Sequence, residues 1–241
     1  MTFINTVIPF ISAIISFIFA FIIFKRYAEK RRPHLLLWGL GMLFYGIGGF
    51  CEAYFGAFGW NALIFRMWYL FGAILVAAWL GQGTVYLLAK RRYANILMVI
   101  LGVASAYAAI RIFGAQIDPS LLTTSVHTGS ELSGHAIVTP GIRTLTPFFN
   151  IYGVVTLVGG AVYSAWIFYR KRVLLHRVIG NILIAVGALA PAFGGAFSRF
   201  GIPGALYIGE LLGATLIFLG FWRATTPMEE KNPQSITEAA N

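Results

Sequence analysis

Long apolar runs alternate with short polar segments along almost the whole chain. Seven runs approach or exceed the roughly 20 residues that an α-helix needs to cross a bilayer. They occupy residues 4–24, 35–56, 60–89, 95–113, 147–169, 178–200 and 203–223. The segments between them are rich in charge, glycine or proline, as expected at helix ends. The pattern therefore predicts an all-α membrane protein with seven transmembrane helices.

The basic residues predict the orientation of these helices. When the seven runs are threaded through a membrane, 14 of the 18 Lys and Arg residues fall on one side. The other four are Arg66, Arg111, Arg143 and Arg199. Because cytoplasmic loops carry the excess of Lys and Arg, we expect the N-terminus outside and the C-terminus in the cytoplasm. This placement also accounts for the net charge of +10 without a nucleic-acid partner.

The composition agrees with this class. Of the residues, 59% are hydrophobic and 11% are charged, which is too little charge to cover a soluble domain. The lone cysteine, Cys51, lies in an apolar run, so the monomer can form no disulfide. No nucleophile–base arrangement, HExxH motif or glycine-rich phosphate loop is present, so nothing indicates an enzyme. We predict a multi-pass protein of a prokaryotic-type plasma (inner) membrane, with the lipid bilayer around it.

Two polar segments lie outside the apolar runs. The outer loop at 114–144 carries four potential metal ligands: Asp118, His127, Glu131 and His135. Their spacing matches no zinc pattern, and we expect a solvated loop without a metal. The segment at 224–241 is short and polar, so we expect a disordered cytoplasmic tail.

The two ends of the chain resemble each other when one is shifted by about 141–146 residues. The clearest match aligns "IIFKRYAEKRRPHLLLWGLGMLFYGIGGF" with "WIFYRKRVLLHRVIGNILIAVGALAPAFGGAF". We therefore predict two parallel three-helix halves, at 4–89 and 147–223, with a connector helix at 95–113. Parallel repeats of this kind occur in some transporters, whose sites lie between the halves.

Two acids and one base interrupt the apolar runs. Glu210 lies about 10 Å into the last run, at 1.5 Å per helical residue. Gly209 and Gly213 beside it form the small-residue surface that packs against other helices, so Glu210 is expected to face the bundle. Glu52 and Arg66 have similar depths in the second and third runs.

These charges form the core of a predicted polar cluster in the outer half of the membrane. Its members are Glu52, Arg66, Tyr69, Asn150, Arg199, Tyr207 and Glu210. An unpaired buried charge costs several kcal/mol. Under a structural hypothesis, Arg66 or Arg199 therefore forms ion pairs with the two acids and locks the helices. Under a functional hypothesis, the cluster lines an outward-facing pocket walled by aromatic residues: Tyr45, Tyr54, Trp68, Tyr69, Tyr152 and Tyr207.

Three functions fit this cluster. The leading prediction is a non-enzymatic sensor or small-molecule-binding module with a polar pocket in the outer half. The first alternative is a small-solute or proton-coupled transporter in which Glu52 and Glu210 titrate. The second alternative is a structural subunit of a larger membrane complex. The sequence does not choose among the three.

The second and third runs also carry a local resemblance. They read "RRPHLLLWGLGMLFYGIGGFCEAYFG" and "WNALIFRMWYLFGAILVAAWLGQG", with a Leu-Trp-x-Leu-Gly run and an Arg-x-Trp-Tyr motif. These segments, about a quarter of the chain, resemble the seven-helix sensor region of prokaryotic receptor histidine kinases. In that family a cytoplasmic kinase domain follows, whereas this chain ends 18 residues after Arg223. The resemblance implies a sensor that signals through a separate partner.

The overall plan is similar to two further families. Microbial rhodopsins share seven helices and an outside N-terminus, and they attach retinal to a lysine of the last helix. The last run here, "GALYIGELLGATLIFLGFW", has no lysine, so no retinal Schiff base is expected and no cofactor is identified. SWEET-type sugar transporters share the 3+1+3 plan. Their paired prolines are not matched, because Pro191 aligns with Tyr45 in the repeat.

Overall fold

Long helices account for most of the structure, a computed structural model that describes residues 3–123, 132, 134–171, 175–202 and 204–225. In chain order they are α1 (Phe3–Lys30), α2 (Pro33–Phe58), α3 (Ala62–Leu88), α4 (Arg91–Phe113), the short α5 (Pro119–Thr123), α6 (Leu145–Arg170), α7 (Leu175–Arg199) and α8 (Ala205–Thr225). All except α5 are long and apolar enough to cross a membrane. The predicted all-α class with seven membrane-spanning helices is confirmed.

The helix ends follow local sequence signals. Pro33 opens α2, where a missing N–H costs nothing, and Arg31 before it turns the chain with a φ of 51°. Gly59, with a φ of 82°, ends α2 in a conformation that suits glycine. The side chain of Asn61 then caps α3 by accepting a hydrogen bond from the backbone N–H of Ile64 at 2.9 Å. These signals set a tight connection between α2 and α3.

Six helices form a ring, in which each packs against the next over at least part of its length. α1 packs against α2, α2 against α3, α3 against α6, α6 against α7, α7 against α8, and α8 against α1. α4 lies outside the ring against α3 and is the least buried of the seven. The two predicted halves therefore each supply three neighbouring helices, with the connector outside. The duplication itself and the membrane orientation stay predictions.

Glycines bring neighbouring helices together at two crossings. A Cβ added to Gly48 on α2 would lie 2.8 Å from the Cα of Gly72 on α3. A Cβ added to Gly194 on α7 would lie 3.1 Å from the Cα of Gly209 on α8. Helices in lipid associate largely through such close van der Waals contact, because lipid tails are as apolar as the side chains. Both crossings close a wall of the ring.

The outer surface of the bundle is apolar. Large hydrophobic side chains are exposed on most helices, among them Phe21, Val99, Ile110, Phe148 and Trp222. A soluble monomer rarely exposes apolar patches of this extent, whereas a membrane protein presents them to lipid. The exposed surface therefore agrees with the lengths of the helices.

The segment 114–144 differs from the solvated loop that the sequence predicted. Ile117 pairs with Ile137 in an antiparallel bridge. Ile137 and Ile142 are buried in the same core cluster as Phe65 and Tyr69 of α3. This local packing was not predicted, because isolated apolar residues among Ser, Thr and Gly form no run, yet each one can pack on an aromatic surface.

Candidate functional site

A cavity of about 920 Å³ lies inside the ring of helices. Side chains of α2, α3, α6, α7 and α8 line it, together with residues 143–144 just before α6. Its volume is in the range of small-molecule sites, roughly 300–1,000 Å³. The cavity therefore has the size of a binding site.

One end of the cavity is polar and the other is apolar. Arg143, Thr144 and Arg199 lie where α6 begins and α7 ends, and we call this the polar end. Asn150 on α6 and Glu210 on α8 line the cavity one to two turns farther in. Apolar side chains line the far part: Val76, Leu80, Leu157 and Ile217. This gradient matches a ligand with a polar head and an apolar body.

Only part of the predicted aromatic wall lines the cavity. Tyr45 of α2 and Trp68 and Tyr69 of α3 do so. Tyr152 instead donates a hydrogen bond to Oε1 of Gln82, between α6 and α3. Tyr54 and the fully buried Tyr207 do not line the cavity either. The aromatic surface is thus concentrated on α2 and α3.

Two carboxyl groups meet beside the cavity. The side chains of Glu52 on α2 and Glu210 on α8 lie close enough to interact directly. The indole N–H of Trp68 donates to Oε1 of Glu52 at 2.9 Å, and Glu52 is fully buried. Two carboxyl groups can form a hydrogen bond with each other only when one of them carries a proton, so we infer that the pair shares a proton. This arrangement was not foreseen from the sequence, for which one of the two hypotheses paired each acid with an arginine.

Tyr45 fixes the position of this carboxyl pair. Its hydroxyl donates to the backbone carbonyl of Glu210 at 2.8 Å and so ties α2 to α8. Oε2 of Glu52 and Oε2 of Glu210 are both buried and, among the described residues, accept no hydrogen bond from any other group. Buried polar atoms are normally paired, which agrees with a shared proton between these two side chains.

Arg66 does not make the ion pairs that the structural hypothesis requires. Its Nη2 donates to the backbone carbonyl of Ala115 at 2.9 Å and ties α3 to the segment after α4. Within the described ranges, neither carboxyl of the pair has an arginine partner. The physical reason is that the segment after α4 packs beside α3 and offers Arg66 a backbone carbonyl, a tertiary contact that the sequence did not reveal. Immediately after Arg66, α3 becomes π-helical from Trp68 to Leu75.

Both π-helical stretches of the structure border the cavity. Gly72 and Ala73 of the first line it, as do Val154 and Leu157 of the second, Val154–Val158 in α6. The side-chain amide of Asn150 donates to the carbonyl of Ala73 at 3.2 Å and links the two helices. Stretches of π-helix are frequent at functional sites, because they place side chains that a regular helix would not.

Apart from Arg199, sequence reasoning missed the contribution of α7, and it also missed the segment before α6. Small residues of α7 form one wall: Gly187, Ala188, Ala192, Gly195 and Ala196. Their spacing along one helix face was a usable signal. Arg143 and Thr146 line the polar end, and the Thr146 hydroxyl donates to the Tyr69 hydroxyl at 2.9 Å. That contact depends on how 114–144 folds, which the sequence did not reveal.

The candidate metal ligands do not converge. The described residues hold no group of three or more His, Cys, Asp and Glu side chains placed to bind a metal. Asp118 instead accepts hydrogen bonds from the hydroxyl and backbone N–H of Ser120, at 2.6 and 2.9 Å. These bonds hold the pKa of the Asp118 carboxyl below its ordinary value. His135 is exposed, and His127 and Glu131 lie outside the described residues.

Comparisons with family models, curated proteins and solved structures give no match for this chain. The resemblance to the sensor region of receptor histidine kinases therefore stays a prediction. What the site can do follows from its own geometry and chemistry.

Proposed function

We propose that this integral membrane protein is a small-molecule-binding module of the plasma membrane, with the polar end of its cavity facing outside. The cavity of about 920 Å³ carries this proposal. Sites for small molecules are typically concave and mostly apolar, with a few convergent polar groups. Glu210, Asn150 and Arg199 are such groups here.

The lining defines the ligand in general terms. Tyr45 and Trp68 offer aromatic surface, and the small side chains of α7 leave room for an apolar body. A polar group of the ligand would meet Glu210 or Asn150. Binding would be reported to a separate partner, as the resemblance to sensor regions implies.

A cavity-filling substitution tests this proposal. Native mass spectrometry of protein extracted in mild detergent should show a co-purifying small molecule. Ala188→Phe should lower its occupancy at least about tenfold, because Ala188 lines the cavity and a benzyl group would occupy it. The matched control is Val186→Phe, since Val186 is 52% exposed on the same helix. Equal occupancy in both variants, or no ligand in the parent protein, would contradict the proposal.

Proton-coupled transport is a second candidate, favoured by the carboxyl pair. A shared proton between Glu52 and Glu210, next to a cavity, is the arrangement from which proton coupling could arise. Flux of a solute into liposomes should then depend on pH and be lost in Glu210→Gln. Glu29→Gln, which changes an exposed acid at the opposite end of the bundle, should retain flux. Flux that is independent of pH would rule out this coupling.

A further inference from the structure

The ring of helices is open on one side of the cavity. α7 packs against α6 along Val154–Arg170, whereas the first part of α6, Leu145–Gly153, packs against α3 instead. The first part of α6 and the last turns of α7 are therefore packed less closely than the other neighbours in the ring, and we call this side, at the level of the polar end, the gap. Cavity-lining residues border this gap on both sides, including Pro147 on α6 and Ala192 on α7.

Close packing seals the other sides of the cavity. Gly48 meets Gly72 between α2 and α3, and Gly194 meets Gly209 between α7 and α8. α3 meets α6 where a Cβ on Gly153 would lie 2.5 Å from the Cβ of Ala77. α1 closes the side between α2 and α8. Among the described helices, the side between α6 and α7 is therefore the most open one for sideways access to the cavity.

The flanks of the gap are those of a surface in lipid. On α6, Phe148 is 72% exposed and Ile151 is 62% exposed. On α7, Phe193 and Phe197 are 59% and 50% exposed. Large apolar groups with this exposure face acyl chains in a membrane protein. A molecule that enters through the gap comes from the bilayer.

The rim of the gap is cationic. Arg143 and Arg199 both line the cavity and are exposed, and neither forms an ion pair with an acid of the described residues. The carboxyl pair, of which only Glu210 lines the cavity, carries one negative charge when it shares a proton. Two positive charges at the rim therefore exceed the single negative charge inside, and guanidinium groups bind phosphate and carboxylate strongly.

We propose that the cavity takes up an anionic lipid from the bilayer through the gap between α6 and α7. Its acidic head binds Arg143 and Arg199, and its tail lies along the apolar part of the cavity. Ile217 is 12 residues beyond Ala205, so this part reaches about 18 Å into the membrane at 1.5 Å per residue. This inference rests on the proposed binding function and specifies its ligand.

Lipid competition tests the proposal directly. Protein in nanodiscs of equal parts phosphatidylglycerol and phosphatidylcholine is released into mild detergent, and native mass spectrometry measures the lipid retained. We expect one phosphatidylglycerol molecule, retained about tenfold more than phosphatidylcholine. Arg143→Gln with Arg199→Gln should remove this preference. Arg111→Gln should keep it, because Arg111 at the same end binds Tyr107 and the carbonyl of Pro140.

A second pair of variants tests the route and the location of the tail. Ala192→Trp places a large side chain at the gap and should lower retention of phosphatidylglycerol at least about fivefold, whereas Val186→Trp should not. Phosphatidylglycerol with a brominated tail should quench Trp68 emission, measured as the difference between the parent and Trp68→Phe. Loss of this quenching in Ala192→Trp would support access through the gap.

Three outcomes would overturn the proposal. Equal retention of both lipids would exclude the anionic head, and retention unaffected by Ala192→Trp would place the lipid on the outer surface. A different co-purifying molecule that is lost in Ala188→Phe would leave the proposed binding function intact while contradicting a lipid ligand. If Ala188→Phe lowers the occupancy of no co-purifying molecule, the proposed binding function itself is wrong.

Discussion

At the scale of single residues, the buried acids are held in an unexpected way. Charges buried in a membrane protein are usually neutralised by a partner. Here the partner of Glu52 is Glu210, and a shared proton with a hydrogen bond from Trp68 takes the place of an arginine. The arginine that the sequence assigned to them, Arg66, binds a backbone carbonyl elsewhere.

A double-mutant cycle distinguishes these two pairings. Glu52→Gln and Glu210→Gln should show a coupling energy of at least about 0.5 kcal/mol, because the two side chains are hydrogen-bonded to each other. Arg66→Met combined with Glu210→Gln should be additive within about 0.5 kcal/mol, because these residues share no hydrogen-bond partner. Free energies of unfolding in mild detergent measure both. Strong coupling to Arg66 and none between the acids would restore the ion-pair hypothesis.

At the scale of helices, the ring depends on where backbones can approach each other. The crossing of α2 and α3 at Gly48 and Gly72 lies beside the π-helical stretch that directs Trp68 and Tyr69 to the cavity. A shift of α3 at this crossing would move both aromatic rings. The small residues therefore support the geometry of the site as well as the stability of the bundle.

Alanine substitutions of two glycines should have opposite effects on stability. In Gly48→Ala the new methyl group meets the backbone of Gly72, so the free energy of unfolding should fall by about 1–3 kcal/mol. In Gly102→Ala no atom lies within 4 Å of the added Cβ, and alanine should stabilise α4 by about 0.5–1 kcal/mol. Unfolding in mild detergent tests both variants. An equal loss of unfolding free energy in both variants would show that the close contact at Gly48 does not cause the destabilisation.

At the scale of the whole molecule, the helices could be predicted from the sequence, but most contacts between them could not. Apolar runs and turn residues are local signals, so seven helices could be placed within a few residues. The inward direction of Glu210 followed from its glycine neighbours. The acid pair, the position of Arg66 and the packing of Ile142 depend on which helices and connecting segments adjoin in the folded chain. Such tertiary features leave no periodic trace in the chain.

The orientation in the membrane is the remaining prediction at this scale, and it decides which side the polar end of the cavity faces. Cys51 is 2% exposed, so a thiol reagent should report cysteines introduced elsewhere. Lys90 is exposed just before α4, and His135 is exposed in the segment that follows the other end of α4. If basic loops are cytoplasmic, a membrane-impermeant maleimide should label His135→Cys in intact cells and Lys90→Cys only after permeabilisation. The reverse pattern would turn the polar end towards the cytoplasm, and an anionic lipid would then come from the inner leaflet.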